Sequence, residues 1–262
     1  MKKTTYILVS LAVLGLAASI IPTIIAYGNR EEFTTGHHRP CELGISEPIS
    51  EVTLSVLNKE THLAQLFNGL DIAISDTVAS PQLCVDSIFL RYLTTDFNNG
   101  KLSISLTLSD FKDKIVSISK RPKGPHSVRL TLPGNTLRNV ATDYGRLSIR
   151  GLDTESLTLC TGSRLTLENC HIDSAFITTR EYTKTKFKEC SFEYMKIALK
   201  DNYIKIDCCD STSLIKKLDL EPSEHLKTDL DLNEANIDTF RLDNDSRAKV
   251  NIRIKYPANL TK

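Results

Sequence analysis

The second half of the chain repeats one pattern of thirteen residues. It reads LTLENCHIDSAFI at 165–177, TKFKECSFEYMKI at 185–197 and LDLNEANIDTFRL at 230–242. The copies align without gaps: the third, eighth and thirteenth positions are apolar, the sixth is Cys or Ala, and the ninth is Asp or Glu. Weaker copies begin at Leu147 and Ile204. A pattern that recurs about every 20 residues predicts stacked copies of one unit rather than separate domains.

Short strands explain this repeat better than helices. Polar and apolar residues alternate in it and in five earlier segments, as is typical of half-buried strands. Residues 60–70 favour a short helix, and residues 86–93 fit a short helix or a strand. We therefore predict an all-β fold, a right-handed parallel β-helix or solenoid with coils of about 20 residues, preceded by one N-terminal transmembrane helix. The five earlier segments are EVTLSVL at 51–57, GLDIAI at 69–74, KLSISLTL at 101–108, KIVSISK at 114–120 and SVRLTLP at 127–133.

The composition is that of a folded protein with balanced charge. Of 262 residues, 40% are hydrophobic and 25% are charged, which excludes a disordered or collagen-like chain. Lys and Arg number 33 against 32 Asp and Glu, a net charge of +1. Such a balance gives no general attraction to nucleic acid or acidic membranes, so we expect no nucleic-acid partner.

The amino terminus carries an apolar segment long enough to span a membrane. Lys2 and Lys3 precede the uncharged residues 6–27, and a helix of that length rises about 33 Å, close to the thickness of a bilayer core. An uncleaved anchor is favoured, although small residues at 16–19 leave a cleaved signal segment open. The two lysines favour a cytoplasmic amino terminus and an extracytoplasmic remainder. The predicted division is 1–28 anchor or signal segment, 29–47 polar tether, 48–256 β-solenoid and 257–262 tail.

The cysteines are odd in number, so an exported monomer leaves at least one thiol unpaired or pairs it with another chain. Cys170, Cys190 and Cys209 recur at coil spacing and are expected to stack. A ladder of small buried thiols is the favoured interpretation, and a disulfide between adjacent coils is the alternative. The seven cysteines are Cys41, Cys84, Cys160, Cys170, Cys190, Cys208 and Cys209.

No residue is predicted to be catalytic, to bind a cofactor or to bind a metal. His37, His38 and Cys41 are suitable metal ligands, but they lie in the tether with no fourth ligand nearby. Ser-x-x-Lys patterns occur at 117–120 and 213–216, in strand-like sequence. Residues three apart on a strand point to opposite faces, which disfavours an acyl-transfer dyad.

Three sets of polar and aromatic residues leave a glycan site open. Carboxylates and basic groups on one face of a solenoid can bind or cleave a polysaccharide, but an ordinary solvated face is favoured. The tyrosines are expected to pack as a surface ladder, with stacking on sugars as the alternative. The sets are Asp229 with Asp231, the lysines Lys184, Lys186 and Lys188 around Phe187, and the tyrosines Tyr182, Tyr194 and Tyr203.

The order of segments from 51 to 242 resembles the putative auto-transporter adhesin family, also called the head GIN domain. FNGLDIAISD at 67–76 is similar to its opening strand, and Asn99 and Gly100 stand at its middle turn. The stretch at 126–159 is similar to its Pro-terminated strand and first coil, and the Ser-Gly-rich turn of the family occurs once, at 161–163. The residues that match are Phe67, Leu70, Asn99, Gly100, Leu102, Ile104, Leu130, Leu132, Pro133, Gly145, Leu147, Ile149, Gly151, Leu152 and Leu157.

This resemblance implies an exported β-solenoid of a bacterial cell envelope with an adhesion-like role, and it supplies no catalytic residue. We expect a membrane-tethered, extracytoplasmic binding or structural module in the periplasm or at the cell surface, without enzymatic activity or cofactor. Its expected partner is an envelope protein or a glycan. The alternatives are a carbohydrate-active β-helix enzyme and a periplasmic scaffold or sensing module.

Overall fold

The computed structural model describes residues 38–253, apart from 42, 61–63, 65, 87, 109–126, 163, 180–182, 200–202, 209–211, 222–227, 235 and 243–249. The predicted membrane segment at 6–27 and the predicted strand at 114–120 lie outside the described residues. Within the described part, no helix has the length and apolar character needed to cross a bilayer.

The described residues form an all-β fold with one short 3-10 helix at Leu90–Tyr92. Ala64 and Leu66, within the segment predicted as a short helix, are also helical. The strands are β1 His38–Cys41, β2 Glu51–Leu57, β3 Gly69–Ile74, β4 Gln82–Asp86, β5 Leu93–Asn98, β6 Lys101–Thr107, β7 Ser127–Leu132, β8 Asn139–Thr142, β9 Arg146–Arg150, β10 Asp153–Thr161, β11 Arg164–Glu168, β12 His171–Thr179, β13 Thr183–Lys188, β14 Ser191–Leu199, β15 Tyr203–Cys208, β16 Leu214–Glu221, β17 Thr228–Glu234, β18 Ile237–Leu242 and β19 Val250–Arg253.

The strands are arranged in two mixed sheets. Sheet A has the order β1-β4-β7-β3-β9-β11-β13-β15-β17-β19, and sheet B has the order β18-β16-β14-β12-β10-β8-β2-β6-β5. From β8 onward the chain alternates between the sheets, and each strand pairs in parallel with the strand two further along. Antiparallel pairs occur at the other end of the sheets, between β1 and β4, β4 and β7, and β5 and β6.

The strand register confirms the alignment of the first two copies of the repeat. Their third, eighth and thirteenth positions pair between adjacent strands of the same sheet, and all six side chains are buried. Their apolar positions therefore fill the space between sheets A and B. The pairs are Leu167 with Phe187, Ile172 with Phe192, and Ile177 with Ile197.

The copy assigned to Ile204 was placed two residues out of register. Ile204 pairs with Thr183 rather than with Thr185. On the next strand Leu214 pairs with Ser191 at a separation of 23 residues, whereas His171 and Ser191 pair at a separation of 20. An alignment without gaps could not allow for the longer corner.

The corners from sheet A to sheet B repeat one backbone conformation. Gly151, Asn169 and Glu189 have φ of 74°, 54° and 54°, in the left-handed region. Each precedes a buried residue, which is Cys170 after Asn169 and Cys190 after Glu189. Gly and Asn adopt this conformation readily, whereas other residues pay roughly 1–2 kcal/mol. Glu189 therefore holds the corner under strain.

The first half contains one close approach that requires glycine. Gly69 has φ of 137°, and a Cβ added there would lie 1.8 Å from the backbone oxygen of Arg146. A side chain on residue 69 would clash with β9 and prevent β3 from pairing with it at this point. Two further segments differ from expectation: β1 lies inside the segment predicted as a tether, and the ambiguous segment at 86–93 contains the 3-10 helix.

Candidate functional site

A partly exposed aromatic pair lies on the outward face of sheet B. Alternate residues of a strand point outward, and Phe176 of β12 pairs in register with Lys196 of β14, which pairs with Asp219 of β16. Phe176 is 39% exposed. Its ring meets that of Tyr194 edge to face, with ring centres 6.0 Å apart. Large exposed rings on a rigid sheet are typical of contact surfaces.

Charged groups surround this pair. The ammonium group of Lys217 lies 5.1 Å from the centre of the Tyr194 ring, close enough for a cation–π contact. The Tyr194 hydroxyl donates a hydrogen bond of 3.1 Å to Oδ2 of Asp219. We call Phe176, Tyr194, Lys217 and Asp219 the aromatic cluster. Burial and the hydrogen bond to Asp219 raise the pKa of Tyr194, so its phenol stays protonated and able to donate.

Ion pairs frame the aromatic cluster. Lys216 lies 2.6 Å from a carboxylate oxygen of Glu193, and Lys196 lies 2.8 Å from one of Glu221. Exposed ion pairs of this kind contribute little to the stability of a fold. Among the described outward side chains of the sheet B strands β10, β12, β14, β16 and β18, acidic groups predominate. The acidic residues are Asp153, Glu155, Asp173, Glu193, Asp219, Glu221 and Asp238, and the basic ones are Lys196, Lys216, Lys217 and Arg241.

The outward face of sheet A carries the opposite charge. Arg146, Arg164, Lys184 and Lys205 occupy one register position on four adjacent strands, β9, β11, β13 and β15, and we call them the basic ladder. Adjacent strands lie about 4.8 Å apart. Two unit charges at that distance repel by about 1 kcal/mol in water. The basic ladder therefore opposes folding slightly, and nothing in the core requires it.

Carboxylates neutralise only part of this basic face. Glu168 accepts from Arg150 and Lys188, with closest distances of 2.9 and 2.8 Å, and Arg146 lies 2.9 Å from Asp71. The hydrogen bond from Lys188, with help from Arg150, lowers the pKa of Glu168. Among the described outward side chains of β9, β11, β13 and β15, the basic residues are Arg146, Arg150, Arg164, Lys184, Lys186, Lys188 and Lys205, and the acidic ones are Glu168 and Asp207.

The structure confirms the predicted lysine face. Lys184, Lys186 and Lys188 are exposed on β13 and Phe187 is buried between the sheets. Asp231 of β17, the next strand of the sheet, is in register with Lys205.

The predicted tyrosine ladder is wrong. Tyr194 belongs to sheet B and Tyr203 to sheet A, so they do not stack. They stand at different points of their coils, which spacing along the chain did not reveal. Tyr182 lies outside the described residues.

The thiol ladder is partly confirmed. Cys170 and Cys190 are buried free thiols in successive copies of the repeat. A hydrogen bond with Cys170 and burial raise the pKa of Cys190. The prediction that Cys209 stacks next to Cys190 is wrong, because Ser213 lies there. The backbone N–H of Cys190 donates to Oγ of buried Ser213, at 3.2 Å. Ser213 lies next to Cys190 because Ser191 and Leu214 pair at a separation of 23 residues rather than 20. Cys209 lies outside the described residues.

Within the described residues, the Ser-x-x-Lys pattern and the candidate metal ligands do not form a site. Ser213 is buried at a corner, while the ammonium group of Lys216 binds Glu193, so the two form no dyad. The other Ser-x-x-Lys pattern, at 117–120, and His37 lie outside the described residues. Across the described ranges, no three His, Cys, Asp or Glu side chains are grouped to hold a metal ion.

Sequence reasoning singled out Tyr194 and Lys184 but did not group them with the other members of the aromatic cluster and the basic ladder. A signal for the ladder was present: the residue before the first position of the pattern is basic in three successive copies, at Arg146, Arg164 and Lys184. The net charge of +1 did not indicate the ladder, because the net charge adds the basic residues of one face to the acidic residues of the other. The aromatic cluster had no such signal, since Phe176 and Tyr194 come from different positions of the pattern.

Comparison with known proteins finds no matching family model and no matching curated protein. Among solved structures, a putative adhesin from Bacteroides fragilis NCTC 9343 is similar, with a TM-score of 0.47, 10% identity, and coverage of 83% of this chain and 96% of that one. A putative lipid binding protein from Parabacteroides distasonis ATCC 8503 has a TM-score of 0.39, 11% identity, and coverage of 83% and 96%. A putative adhesin from Parabacteroides merdae ATCC 43184 has a TM-score of 0.34, 9% identity, and coverage of 83% and 95%.

Proposed function

We propose that this chain is a non-enzymatic binding module of a bacterial cell envelope, held at the membrane by residues 6–27, with its strands wound as a right-handed parallel β-solenoid of the head GIN type. The alternation of parallel strands between two sheets supports the solenoid. The length and composition of residues 6–27 support the anchor. The stacked strands form an extended rigid face for a partner.

The aromatic cluster is the observation that carries this proposal. An exposed phenyl ring costs solvation free energy unless a partner covers it. Phe176 and Tyr194 offer apolar ring surface, while Lys217 and Asp219 offer a donor and an acceptor beside it. Apolar surface with a few polar groups fixed at its margin suits a sugar ring, which has an apolar face and hydroxyl groups at its edge. We therefore propose a glycan as the partner at this site.

Binding of oligosaccharides to the full chain in a mild detergent tests the proposal. A glycan array identifies the ligand, and calorimetry then compares Phe176→Ala with Leu57→Ala. Leu57 is a matched control because it is 53% exposed and lies on β2 of the same sheet, away from the cluster. We expect Phe176→Ala to weaken binding at least tenfold and Leu57→Ala to change it less than twofold. Equal losses, or a chain that binds only a protein, would contradict the glycan assignment.

A carbohydrate-active enzyme is the second candidate, and the register of Asp231 with Lys205 is the observation that favours it. An acid and a base facing one glycosidic bond could share proton transfer. Our proposal expects no new reducing ends when the chain is incubated with a panel of polysaccharides. Turnover that disappears in Asp231→Asn and persists in Asp238→Asn, an exposed aspartate of sheet B, would replace binding by catalysis.

Location separates a surface module from a periplasmic scaffold or sensor. A protease-sensitive tag after Lys262 can be compared between intact cells and cells with a permeabilised outer envelope, together with alkaline extraction of membranes. Cleavage on intact cells would support direct contact with an external glycan. Protection until permeabilisation, with resistance to extraction, would favour a module confined beside the inner membrane.

A further inference from the structure

We propose that the outward face of sheet A is a second binding site, separate from the aromatic cluster, for a linear polysaccharide that carries carboxylate or sulfate groups. Arg164 and Lys184, the central members of the basic ladder, would make the main contacts. Arg146 and Lys205 extend the same line on either side. This site is independent of the glycan proposed for sheet B.

The register makes the charges periodic. Arg146 pairs with Arg164, Arg164 with Lys184, and Lys184 with Lys205. Each step is one strand spacing, about 4.8 Å, so the line of cations crosses the strands at regular intervals. A polymer with regularly repeated anionic groups can contact several of these cations at once. Each contact is weak alone, but contacts after the first are intramolecular and therefore add strongly to the affinity.

The central cations are available to such a polymer. Arg146 is held by Asp71 at 2.9 Å. Within the described part of the chain, Arg164 and Lys184 have no acidic partner. Beside them, Arg150 and Lys188 share the single carboxylate of Glu168. The face thus keeps an excess of positive charge around Arg164 and Lys184. Charge complementarity therefore favours an anionic partner.

The chemistry of the face favours a polysaccharide over nucleic acid or a bilayer. Single-stranded nucleic acids stack their bases on exposed aromatic rings, and peripheral membrane proteins insert apolar side chains. The large apolar side chains described on β9, β11 and β13 all point inward. The partly exposed hydroxyls of Ser148 and Thr166 lie in the next row of the face, where they can bond to sugar hydroxyls. The inward side chains are Leu147, Ile149, Leu165, Leu167 and Phe187.

The test measures binding of the full chain, in non-ionic detergent, to polygalacturonate, dextran sulfate and uncharged dextran. Arg164→Gln with Lys184→Gln removes two central charges from the ladder. Lys101→Gln with Lys216→Gln removes two exposed charges from sheet B and is the matched control. We expect micromolar binding of at least one anionic polymer and none of dextran. The ladder variant should bind at least tenfold more weakly and with a shallower dependence on salt, while the control stays within twofold.

Several results would overturn the proposal. Equal losses in the two double variants would mean attraction by overall charge rather than by this face. The absence of binding to both anionic polymers would remove the site. Tighter binding to single-stranded DNA, or to vesicles that contain phosphatidylserine, would assign the ladder to another class of partner. Circular dichroism of both variants excludes unfolding as the cause, since all four substituted side chains are on the outside of the sheets.

Discussion

Sheets A and B are alike inside and opposite outside. Their inward positions hold aliphatic and aromatic residues that pack against one another, as with Phe187 of sheet A and Phe192 of sheet B, whose ring centres are 5.0 Å apart. Their outward positions differ: sheet A presents the basic ladder, and sheet B presents the aromatic cluster among mainly acidic groups. The inward half of the pattern is needed for folding and the outward half is free to vary. The chemistry of the protein must therefore be sought position by position on the outside.

The largest effect should come from the shared interior. Phe187→Ala and Phe192→Ala each remove a fully buried ring from the contact between the sheets. We expect each to lower the free energy of unfolding by about 3–5 kcal/mol. Urea denaturation monitored by circular dichroism measures this, with Phe176→Ala as the exposed control. A loss confined to one of the two buried positions would show that the sheets do not share a single core.

The next effect belongs to sheet B. Tyr194→Phe removes the hydrogen bond to Asp219 and should cost about 0.5–1.5 kcal/mol at pH 7. Because folding raises the pKa of Tyr194, its contribution is complete below the pKa of the unfolded tyrosine. It is lost as the pH rises through the folded value. Unfolding of both proteins between pH 8 and 12 should therefore show the difference shrinking at the alkaline end, and a constant difference would remove this hydrogen bond as the cause.

Sheet A should respond at the other end of the pH scale. Glu168→Gln removes the carboxylate shared by Arg150 and Lys188 and should cost about 0.5–1 kcal/mol at pH 7. Because folding lowers the pKa of Glu168, its contribution is present above the pKa of an unfolded glutamate and disappears as the pH falls through the folded value. Thermal midpoints from pH 7 down to pH 2 test this. The wild type and the variant should converge in acid, whereas a gap that persists there would mean a packing defect.

The smallest effect has opposite signs on the two faces. Lys184→Gln relieves repulsion in the basic ladder and should stabilise the protein by a few tenths of a kcal/mol. Lys216→Gln breaks the pair with Glu193 and should destabilise the protein slightly. Paired measurements at low and high salt check this, because salt should erase both differences. Destabilisation by both substitutions would show that the ladder carries no electrostatic cost.

Much of the fold could be predicted from the sequence because burial is periodic. Alternation placed β2, β3, β6 and β7 correctly to within a residue, and the repeat gave the pairing of Leu167 with Phe187. Corner lengths were not predictable, since corner residues need only a permitted backbone conformation. β14 and β16 pair at a separation of 23 residues rather than 20, and the three additional residues place Ser213 where Cys209 was expected.

The candidate sites were harder to predict for a different reason. Outward residues follow no rule of burial, and their neighbours come from other coils. Lys184, Lys186 and Lys188 were recognised as one face because they lie on one strand. Arg164 was not joined to Lys184, since that contact depends on register between strands. Only the structure shows which separate charges form a line.

The repeated left-handed corner makes this protein adjustable in length. β12 and β14 pair with every partner 20 residues apart, and both follow the same kind of corner, at Asn169 and at Glu189. Removing residues 171–190 would place Ser191 directly after Cys170 and bring Phe192 to the position of Ile172. The strands that follow would keep their partners in phase. Loss or duplication of such a segment would therefore shorten or lengthen both outward faces together by one coil, a route by which related genes could change the reach of the protein without redesigning its interior.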